Sequence, residues 1–237
     1  MEAIISPGEF PMRNNHYKVG IVADDVTGSN DIGIMYSDNG LCVNIFPFTS
    51  LSIDKFDGDI AVIDTDSRFL SVDESYNRVY GAAKKLENLG TKYFFKKTCS
   101  VFRGNIGAEF DAMLDALNEK FAVIVLGFPD NGRTTVNSVH YVRGKLLEDS
   151  EFKDDPMNPM MESNLVDILQ KQTKRKVGSV HYEILEKGSG TLKEEIAKLS
   201  AEFNYLIIDV RNNHVYVKQQ MQRLLWIISL KRRQQKP

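Results

Sequence analysis

Strand-like and helix-like segments alternate along most of this 237-residue sequence, and this alternation is the strongest constraint on its fold. Short apolar runs typical of buried strands are followed by segments with apolar residues at helical spacing. The predicted strands are residues 19–23, 41–46, 60–63, 93–95, 122–127, 177–182 and 205–210. Such alternation favours parallel strands joined by right-handed crossover helices. The sequence therefore predicts an α/β fold: a three-layer, doubly wound, Rossmann-like and mostly parallel sheet with helices on both faces.

Capping patterns mark the start of two of the intervening helices. Ser71 followed by Glu74 is a capping-box pattern, and it predicts a helix from that point to about residue 89. Thr191 followed by Glu194 makes the same pattern before a predicted helix that ends at residue 203. Helical spacing alone predicts three further helices, over residues 29–39, 106–120 and 163–174.

Composition and charge narrow the class of protein. A formal charge of −2 and a pI near 6.1 give no reason to expect nucleic-acid binding, and no apolar run has the length of a membrane span. Only two cysteines are present, which is typical of a chain in the reducing cytosol, so we expect a cytoplasmic location. Cys42 lies inside an apolar run, and we expect its thiol to be buried.

The two ends of the sequence differ from its middle. Residues 1–16 have no periodicity and predict a loose extension, residues 17–216 predict the folded domain, and residues 217–237 form a divergent basic tail around Trp226. A basic helix that contacts a membrane or a partner is one interpretation of the tail. A helix or tail packed loosely on the domain is the simpler interpretation and the one we favour, so no membrane partner is predicted.

Densely polar loops follow four of the predicted strands. In a parallel sheet the carboxyl ends of the strands lie along one edge, and ligands bind in the crevice there. We therefore predict that the four loops converge on one small polar ligand. The loops are residues 24–28, 64–68, 96–105 and 128–135.

The first loop contains two adjacent carboxylates, Asp24 and Asp25. One of them can cap the next helix, but both cannot, so at least one is expected to face the crevice. An ionised carboxylate there accepts hydrogen bonds from hydroxyl groups and can act as a general base. Asp31, one turn further on, either joins this group or faces the solvent.

The second loop, residues 64–68, leaves two interpretations open. Asp64, Asp66 and Arg68 could form a capped turn with a surface ion pair. The Asp-x-Asp spacing also allows the nucleophilic aspartate of a phosphatase-like hydrolase. Arg68 stands where that class usually has a small or β-branched residue, which makes the hydrolase the weaker alternative.

Basic residues characterise the third and fourth loops. Guanidinium groups match a carboxylate or phosphate bidentately, so these loops predict an anionic ligand. The composition around Asn131 is that of a turn. A turn by itself does not need the Arg-Thr-Thr sequence that follows, so that sequence favours a functional role for the loop. One of the two adjacent lysines in the third loop is expected to be solvated. The cations beside Ser100, together with those of the second and fourth loops, are Lys96, Lys97, Arg103, Arg68 and Arg133.

Recognisable nucleotide and metal motifs are missing from the sequence. There is no Gly-x-x-x-x-Gly-Lys-[Ser/Thr] phosphate loop and no Gly-x-Gly-x-x-Gly, and Gly188-Ser189-Gly190 precedes a helix without the required lysine. The four histidines have no metal-ligand spacing. Only His140, shortly after the fourth loop, is expected near the site.

Taken in order, the four loops resemble the four-carbon acid sugar kinase family, formerly grouped as a domain of unknown function. Its motifs are Ala-Asp-Asp-x-Thr-Gly, Asp-Thr-x-Ser-Arg, Lys-Lys…Ser…Arg-Gly-Asn-Ile-Gly-Ala-Glu and Phe-Pro-x-Asn-Gly-Arg-Thr-Thr. All four occur here in order, and the resemblance runs from about residue 17 to about residue 216. The third loop departs from the pattern, because Cys99 replaces an Asp and Val101 replaces a Thr.

The resemblance implies an ATP-dependent kinase of four-carbon sugar acids such as threonate, erythronate and their keto forms. Residues 17–216 would be its sugar-acid-binding domain, with Asp25 as the catalytic base. ATP and magnesium would belong to a nucleotide-binding domain that is missing here, so we expect this chain alone to bind the sugar acid, to self-associate and to phosphorylate nothing. A non-enzymatic sugar-acid-binding module is the alternative. The substrate-binding residues implied are Asp24, Asp64, Arg68, Lys97, Ser100, Arg103, Asn131 and Arg133.

Overall fold

The computed structural model describes residues 19–49 and 58–212. The predicted extension over residues 1–16 and the basic tail over residues 217–237, with its Trp226, lie outside the described residues. Within the described ranges, no helix combines the length and the apolar composition needed to cross a membrane.

Four parallel strands form the first sheet, in the order β2-β3-β1-β4. Helices connect them, with α1 between β1 and β2 and α2 between β3 and β4. A third helix, α3, follows the sheet and packs beside α2. The bounds are β1 (Val19–Ala23), α1 (Val26–Ser37), β2 (Val43–Pro47), β3 (Ile60–Asp64), α2 (Val72–Asn88), β4 (Tyr93–Lys97) and α3 (Ile106–Ala116).

Both faces of the first sheet are covered, as the continuous apolar strands require. Ile21 and Ala23 pack with Ile32 of α1 on one face. Val22, which points the other way, packs with Val79 of α2 on the opposite face. The two crossover helices therefore lie on opposite sides of the sheet.

The chain then forms a second parallel sheet and a small antiparallel sheet. The order in the parallel sheet is β5-β10-β9, and the antiparallel sheet is the meander β6-β7-β8. The bounds are β5 (Ala122–Val125), β6 (Arg133–Val136), β7 (Val139–Val142), β8 (Lys145–Leu146), α4 (Leu165–Gln170), β9 (Val177–Val180), α5 (Tyr182–Glu186), α6 (Ser189–Leu199) and β10 (Tyr205–Ile208).

Helix α3 packs against both parallel sheets. Phe110 and Leu114 belong to the core that contacts Ile207 of β10, whereas Ala112 and Met113 belong to the core between α2 and the first sheet. The other face of the second sheet is covered by α5 and α6. The single helix α3 thus ties the two sheets together and fixes where their carboxyl ends lie.

The meander is attached to the carboxyl end of β10. Thr135 and Val210 exchange two backbone hydrogen bonds, of 2.8 and 2.9 Å. The carboxylate of Asp209, which is fully buried, accepts the backbone N–H groups of Asn137 and Ser138 at 2.7 and 3.0 Å. Both turn residues have positive φ, as a tight hairpin requires. This attachment positions Arg133, the first residue of β6, next to the second sheet.

The predicted fold class is confirmed: the chain is α/β, with parallel strands and helices on both faces. The parallel strands divide into two sheets, however, so the fourth polar loop follows a strand of a different sheet. The antiparallel meander was not predicted, because the residues after Asn131 were interpreted only as a turn.

The structure tests three local predictions. The capping box at Ser71 is confirmed, since its Oγ accepts the Glu74 N–H and the Glu74 carboxylate accepts the Ser71 N–H, both at 3.3 Å. The capping box at Thr191 is wrong, because α6 begins two residues earlier, after Gly188 with φ 99°. Cys42 is exposed rather than buried, since it precedes β2 instead of lying within it.

Candidate functional site

The carboxyl ends of the neighbouring strands β1 and β3 lie at the point where the crossover connections switch from one face of the sheet to the other. The chain leaves β1 toward one face and β3 toward the other, and such a switch point opens a crevice between the two loops. Thr65 fastens the loops to each other, because its N–H and its Oγ both donate to the carbonyl of Ala23, at 2.9 and 2.7 Å. The first and second polar loops therefore lie side by side, as predicted.

Arg68 links the two carboxylates of the first loop. Its Nε donates to Oδ2 of Asp24 at 2.8 Å and its Nη1 to Oδ2 of Asp25 at 2.5 Å. Burial lowers the pKa of Arg68, but the hydrogen bond and the charge of Asp24 raise it by more, so the pKa lies above its ordinary value. Because two carboxylates balance its charge, Arg68 orients them and is not a free cation for an anionic ligand.

The two aspartates differ in what they leave available. Asp25 caps α1 through Oδ1, which accepts the Gly28 N–H at 2.7 Å, so each of its oxygens already accepts one hydrogen bond and keeps a second lone pair. Asp24 is 1% exposed, and its Oδ1 has no hydrogen-bond partner within the described ranges. Buried polar atoms are nearly always paired, so this oxygen is a candidate acceptor for a ligand hydroxyl.

Asp64, at the end of β3, adds a third carboxyl to the crevice. Burial raises its pKa above the ordinary value, and the nearby charges of Asp66, Asp25 and Asp24 act in the same direction. A carboxyl with a raised pKa takes up a proton more readily than an ordinary aspartate. Asp66 itself is exposed.

A buried ion pair supports the second and third loops from beneath. Lys96 Nζ lies 2.8 Å from Oε2 of Glu109, and their side chains are 6% and 1% exposed. The other oxygen of Glu109 accepts the Ser67 hydroxyl at 2.6 Å. Lys96 is therefore not the solvated lysine that the sequence suggested. Glu109 was not among the predicted site residues.

Lys97 points its ammonium group toward the first turn of α1. Nζ lies 3.4 Å from the position that a Cβ on Gly28 would occupy, and that Cβ would also approach Oδ1 of Asp25 to 2.7 Å. A side chain at position 28 would therefore displace the Asp25 carboxylate. Within the described ranges no carboxylate lies within ion-pair distance of Lys97. Lys97 is thus a cation without a balancing carboxylate at the edge of the crevice.

The third loop turns sharply at Phe102 and Gly104, where φ is 59° and 97°. A Cβ on Gly104 would lie 3.0 Å from the Arg68 carbonyl, so this loop contacts the second loop directly. Arg103 donates from Nε to Sγ of Cys99 at 3.3 Å and from Nη1 to Oδ2 of Asp155 at 2.7 Å. The residue that departs from the family pattern, Cys99, therefore contacts one of the predicted cations.

Arg133 brings the fourth loop next to the third loop. Its guanidinium carbon lies 5.4 Å from the centre of the Phe152 ring, and that of Arg103 lies 5.1 Å from the same ring. Nη1 of Arg133 donates to the Asn131 carbonyl at 2.6 Å, and its buried Nε has no acceptor among the residues described. The Asn131 side chain is exposed, and only its carbonyl takes part.

His140 lies buried beside the third and fourth loops. Thr135 donates its hydroxyl hydrogen to the Leu126 carbonyl at 2.6 Å, so the Thr135 oxygen must accept from Nδ1–H of His140, 2.9 Å away. Burial lowers the pKa of His140 to about 4, and the charge of Arg133 acts in the same direction. At neutral pH the imidazole is therefore uncharged, and Nε2 carries no hydrogen.

A continuous series of contacts thus joins the predicted loops, although they belong to two sheets. Asp31 does not belong to this group and is exposed, and Ser100 is half-buried in the third loop without a side-chain hydrogen bond among the described residues. No group of three or more His, Cys, Asp or Glu in the described part of the chain is arranged to hold a metal ion. The series of contacts that joins the four loops runs through Asp25, Arg68, Gly104, Arg103, Phe152 and Arg133.

The fold defines an α/β domain with parallel strands and helices on both faces. Residues 19–225 match the model of the sugar-binding N-terminal domain family, and the chain belongs to that family. Several relatives of the chain carry the name 3-oxo-tetronate kinase. The one from Haemophilus influenzae is 37% identical over 203 residues, which are 82% of this chain and 48% of the relative. The one from Brucella melitensis is 32% identical over 212 residues, 86% of this chain and 48% of the relative.

A solved structure shows the same fold. The crystal structure of the Haemophilus influenzae protein HI1011, a DUF1537 family member, matches with a TM-score of 0.80 and 32% identity, over 87% of this chain and 56% of that one. The family resemblance inferred from the four loops is therefore confirmed. The chain spans about half the length of the curated relatives it matches.

Proposed function

We propose that this chain binds a four-carbon sugar acid and forms the substrate-binding part of a kinase that phosphorylates it. The observation that carries the proposal is the combination of these groups along one connected series of loops. The unpaired acceptor Asp24 Oδ1 lies in the same series of loops as two cations that have no balancing carboxylate. These cations are Lys97 and Arg133. A sugar acid has hydroxyl groups for the former and a carboxylate for the latter.

Within this proposal, each loop has its own task. Arg133 and Lys97 bind the substrate carboxylate, while Asp24 and Asp64 accept hydrogen bonds from its hydroxyl groups. Asp25 is the base that aligns or deprotonates the attacking hydroxyl, since Arg68 holds its carboxylate in place. Contacts from the remaining predicted substrate-binding residues complete the site: Ser100, Arg103 and Asn131.

Phosphoryl transfer depends mainly on positioning and on neutralising charge, which ATP and magnesium share with the protein. The kinase relatives imply both cofactors in a full enzyme. The described residues do not fit the nucleotide, because their sequence contains neither a phosphate loop nor Gly-x-Gly-x-x-Gly, and magnesium accompanies the ATP phosphates. We therefore propose that ATP and magnesium bind outside residues 19–212. Self-association and a cytoplasmic location stay predictions.

Calorimetry with charged and neutral ligands tests the binding proposal. The ligands are threonate, erythronate and 3-oxo-tetronate, with the polyols threitol and erythritol as neutral controls of the same length. The proposal predicts that at least one acid binds and that the polyols bind at least about tenfold more weakly, because they lack the carboxylate. Equal affinity for acids and polyols, or no binding of any acid, would contradict it.

A second assay tests the assignment of the cofactors. The chain is mixed with ATP, magnesium and the same acids, and ADP formation is followed. We expect no substrate-dependent ADP from this chain alone. Substrate-dependent ADP that disappears in Asp25→Asn would show that the nucleotide site lies in this chain after all.

A further inference from the structure

We propose that Phe152 and Asp155 are positioning residues that hold Arg103 and Arg133 against one aromatic ring, leaving the Arg133 charge for the substrate carboxylate. We call these two residues the arginine bracket. The identity of the ligand rests on the proposed function, but the bracket itself does not. Neither residue belongs to a predicted strand or helix, and both lie between the meander and α4.

The bracket brings together two cations that would otherwise repel each other. Both guanidinium carbons lie within about 6 Å of the ring centre, the range in which a cation is attracted to an aromatic face. Arg103 comes from the first sheet and Arg133 from the meander, so Phe152 is a direct link between the two halves of the site. Without the ring, like charges would favour moving the two loops apart.

The two arginines differ in how their charges are balanced. Arg103 is paired with Asp155, and although burial lowers its pKa, the hydrogen bond to Cys99 and the pairing with Asp155 raise it above its ordinary value. Arg133 has no carboxylate within ion-pair distance in the described ranges, and its Nε is buried without an acceptor. A carboxylate oxygen of the ligand would satisfy that Nε–H, whose unpaired burial is costly. The charge of Arg133 is therefore left for the substrate carboxylate, whereas the charge of Arg103 is balanced by Asp155.

Local bonds and packing hold the bracket without any ligand contact. The Phe152 carbonyl accepts the Met160 N–H at 2.9 Å, and the ring packs against the buried core. Oδ1 of Asp155 accepts the Asn158 and Met157 N–H groups at 2.8 and 3.1 Å. These bonds, first that of Asn158, hold the pKa of Asp155 below its ordinary value, and the bond from Arg103 adds to them. Such local bonds keep the arginines pre-organised, which lowers the cost of binding.

The test compares three variants of the full chain. Phe152→Leu removes the ring but keeps an apolar side chain, Phe152→Tyr keeps the ring, and Phe121→Leu is the matched control. Phe121 is also a half-buried phenylalanine, but it immediately precedes β5, at the opposite end from the polar loops.

The first readout needs no ligand. The side-chain Nε–Hε signals of both arginines are followed by NMR and assigned with Arg103→Lys and Arg133→Lys. In Phe152→Leu both signals should move, because both guanidiniums lose the same ring, whereas in Phe152→Tyr and Phe121→Leu they should stay. A Phe152→Leu spectrum in which either arginine signal is unchanged overturns the bracket.

The second readout is affinity for the sugar acid that binds the wild-type chain. Phe152→Leu should weaken it by about five- to thirtyfold, as expected when two cation–π contacts are lost, and Phe152→Tyr should restore it. In an Arg133→Lys background the same change should have a smaller effect, because the two residues act together. Unchanged affinity in Phe152→Leu contradicts the inference. If the wild-type chain binds no sugar acid, the proposed function fails and the NMR readout alone decides on the bracket.

Discussion

The loops of the first sheet and the loop that leads into the meander treat their charges in opposite ways. In the first sheet, Arg68 is balanced by Asp24 and Asp25, and Lys96 is balanced by Glu109. In the meander, Arg133 has no carboxylate partner among the described residues. A buried ion pair contributes little net stability, but removing one partner destabilises the fold strongly because the other charge is left unpaired. Such pairs therefore fix the geometry of the loops. The paired charges of the first sheet therefore fix the shape of the site, and the unbalanced positive charge for the ligand comes from Arg133 of the meander and from Lys97 at the end of β4.

The largest expected effect comes from removing the carboxylate beneath the first-sheet loops. Glu109→Gln leaves the ammonium of Lys96 buried without a counter-charge and should lower the free energy of unfolding by about 3–5 kcal/mol. Urea denaturation measures it. Glu202→Gln, at an exposed position, is the control and should change stability by less than about 0.5 kcal/mol. Similar values for both variants would remove the structural role assigned to the pair.

The next effect concerns the meander and should leave the fold intact. Arg133→Ala should weaken binding of a four-carbon sugar acid by about 1.5–3 kcal/mol, because a charge-assisted hydrogen bond to the carboxylate is lost. Calorimetry measures the change. Lys145→Ala removes an exposed positive charge from the same small sheet and should leave the affinity nearly unchanged. If both variants bind equally well as wild type, Arg133 does not belong to the site.

A smaller effect is expected from pH, through His140. Its pKa is about 4 in the folded chain, against an ordinary value near 6.5, so the unfolded chain takes up a proton first as the pH falls. The stability contributed by the neutral imidazole is present above pH 6.5 and is lost as the pH falls from there toward 4. Between pH 7 and pH 5.5 the loss should be about 1 kcal/mol.

The variant His140→Asn isolates the contribution of His140 to the pH dependence of stability. The Asn amide can still donate to Thr135, as Nδ1–H does, but it does not titrate. Thermal or urea unfolding of both proteins across this pH range should give a shallower slope for the variant. Identical slopes would show that the meander side of the site does not contain a buried neutral histidine.

The sequence predicted the fold class and the order of the polar loops, because both depend on local patterns. It did not reveal that the parallel strands form two sheets, since the apolar pattern of a helix such as α3 is the same whether the helix packs against one sheet or against two. The spacing of residues in α3 does place Glu109 three residues after Ile106 and three before Ala112, on the helix face that becomes buried. A carboxylate at that spacing indicates a buried partner, which makes Glu109 the one missed site residue with a signal in the sequence.

The remaining contacts of the site could not be predicted from local patterns. Arg68 and Asp24 are 44 residues apart, and Phe152 and Asp155 lie in a connection without regular structure, so only the tertiary fold brings them together. The false capping box at Thr191 has a related cause. Gly188 adopts a positive φ that starts the helix earlier, and this backbone choice is not encoded in the Thr-x-x-Glu pattern.

The central claim is that loops from two different sheets form a single sugar-acid site. Backbone NMR during a titration with the tightest-binding four-carbon sugar acid tests it most directly, because each loop reports separately. The account predicts that the amide signals of Gly28, Arg68, Arg103 and Arg133 all shift and reach half-saturation at the same ligand concentration. Shifts confined to the first-sheet loops, with Arg133 unaffected at saturation, would contradict the claim.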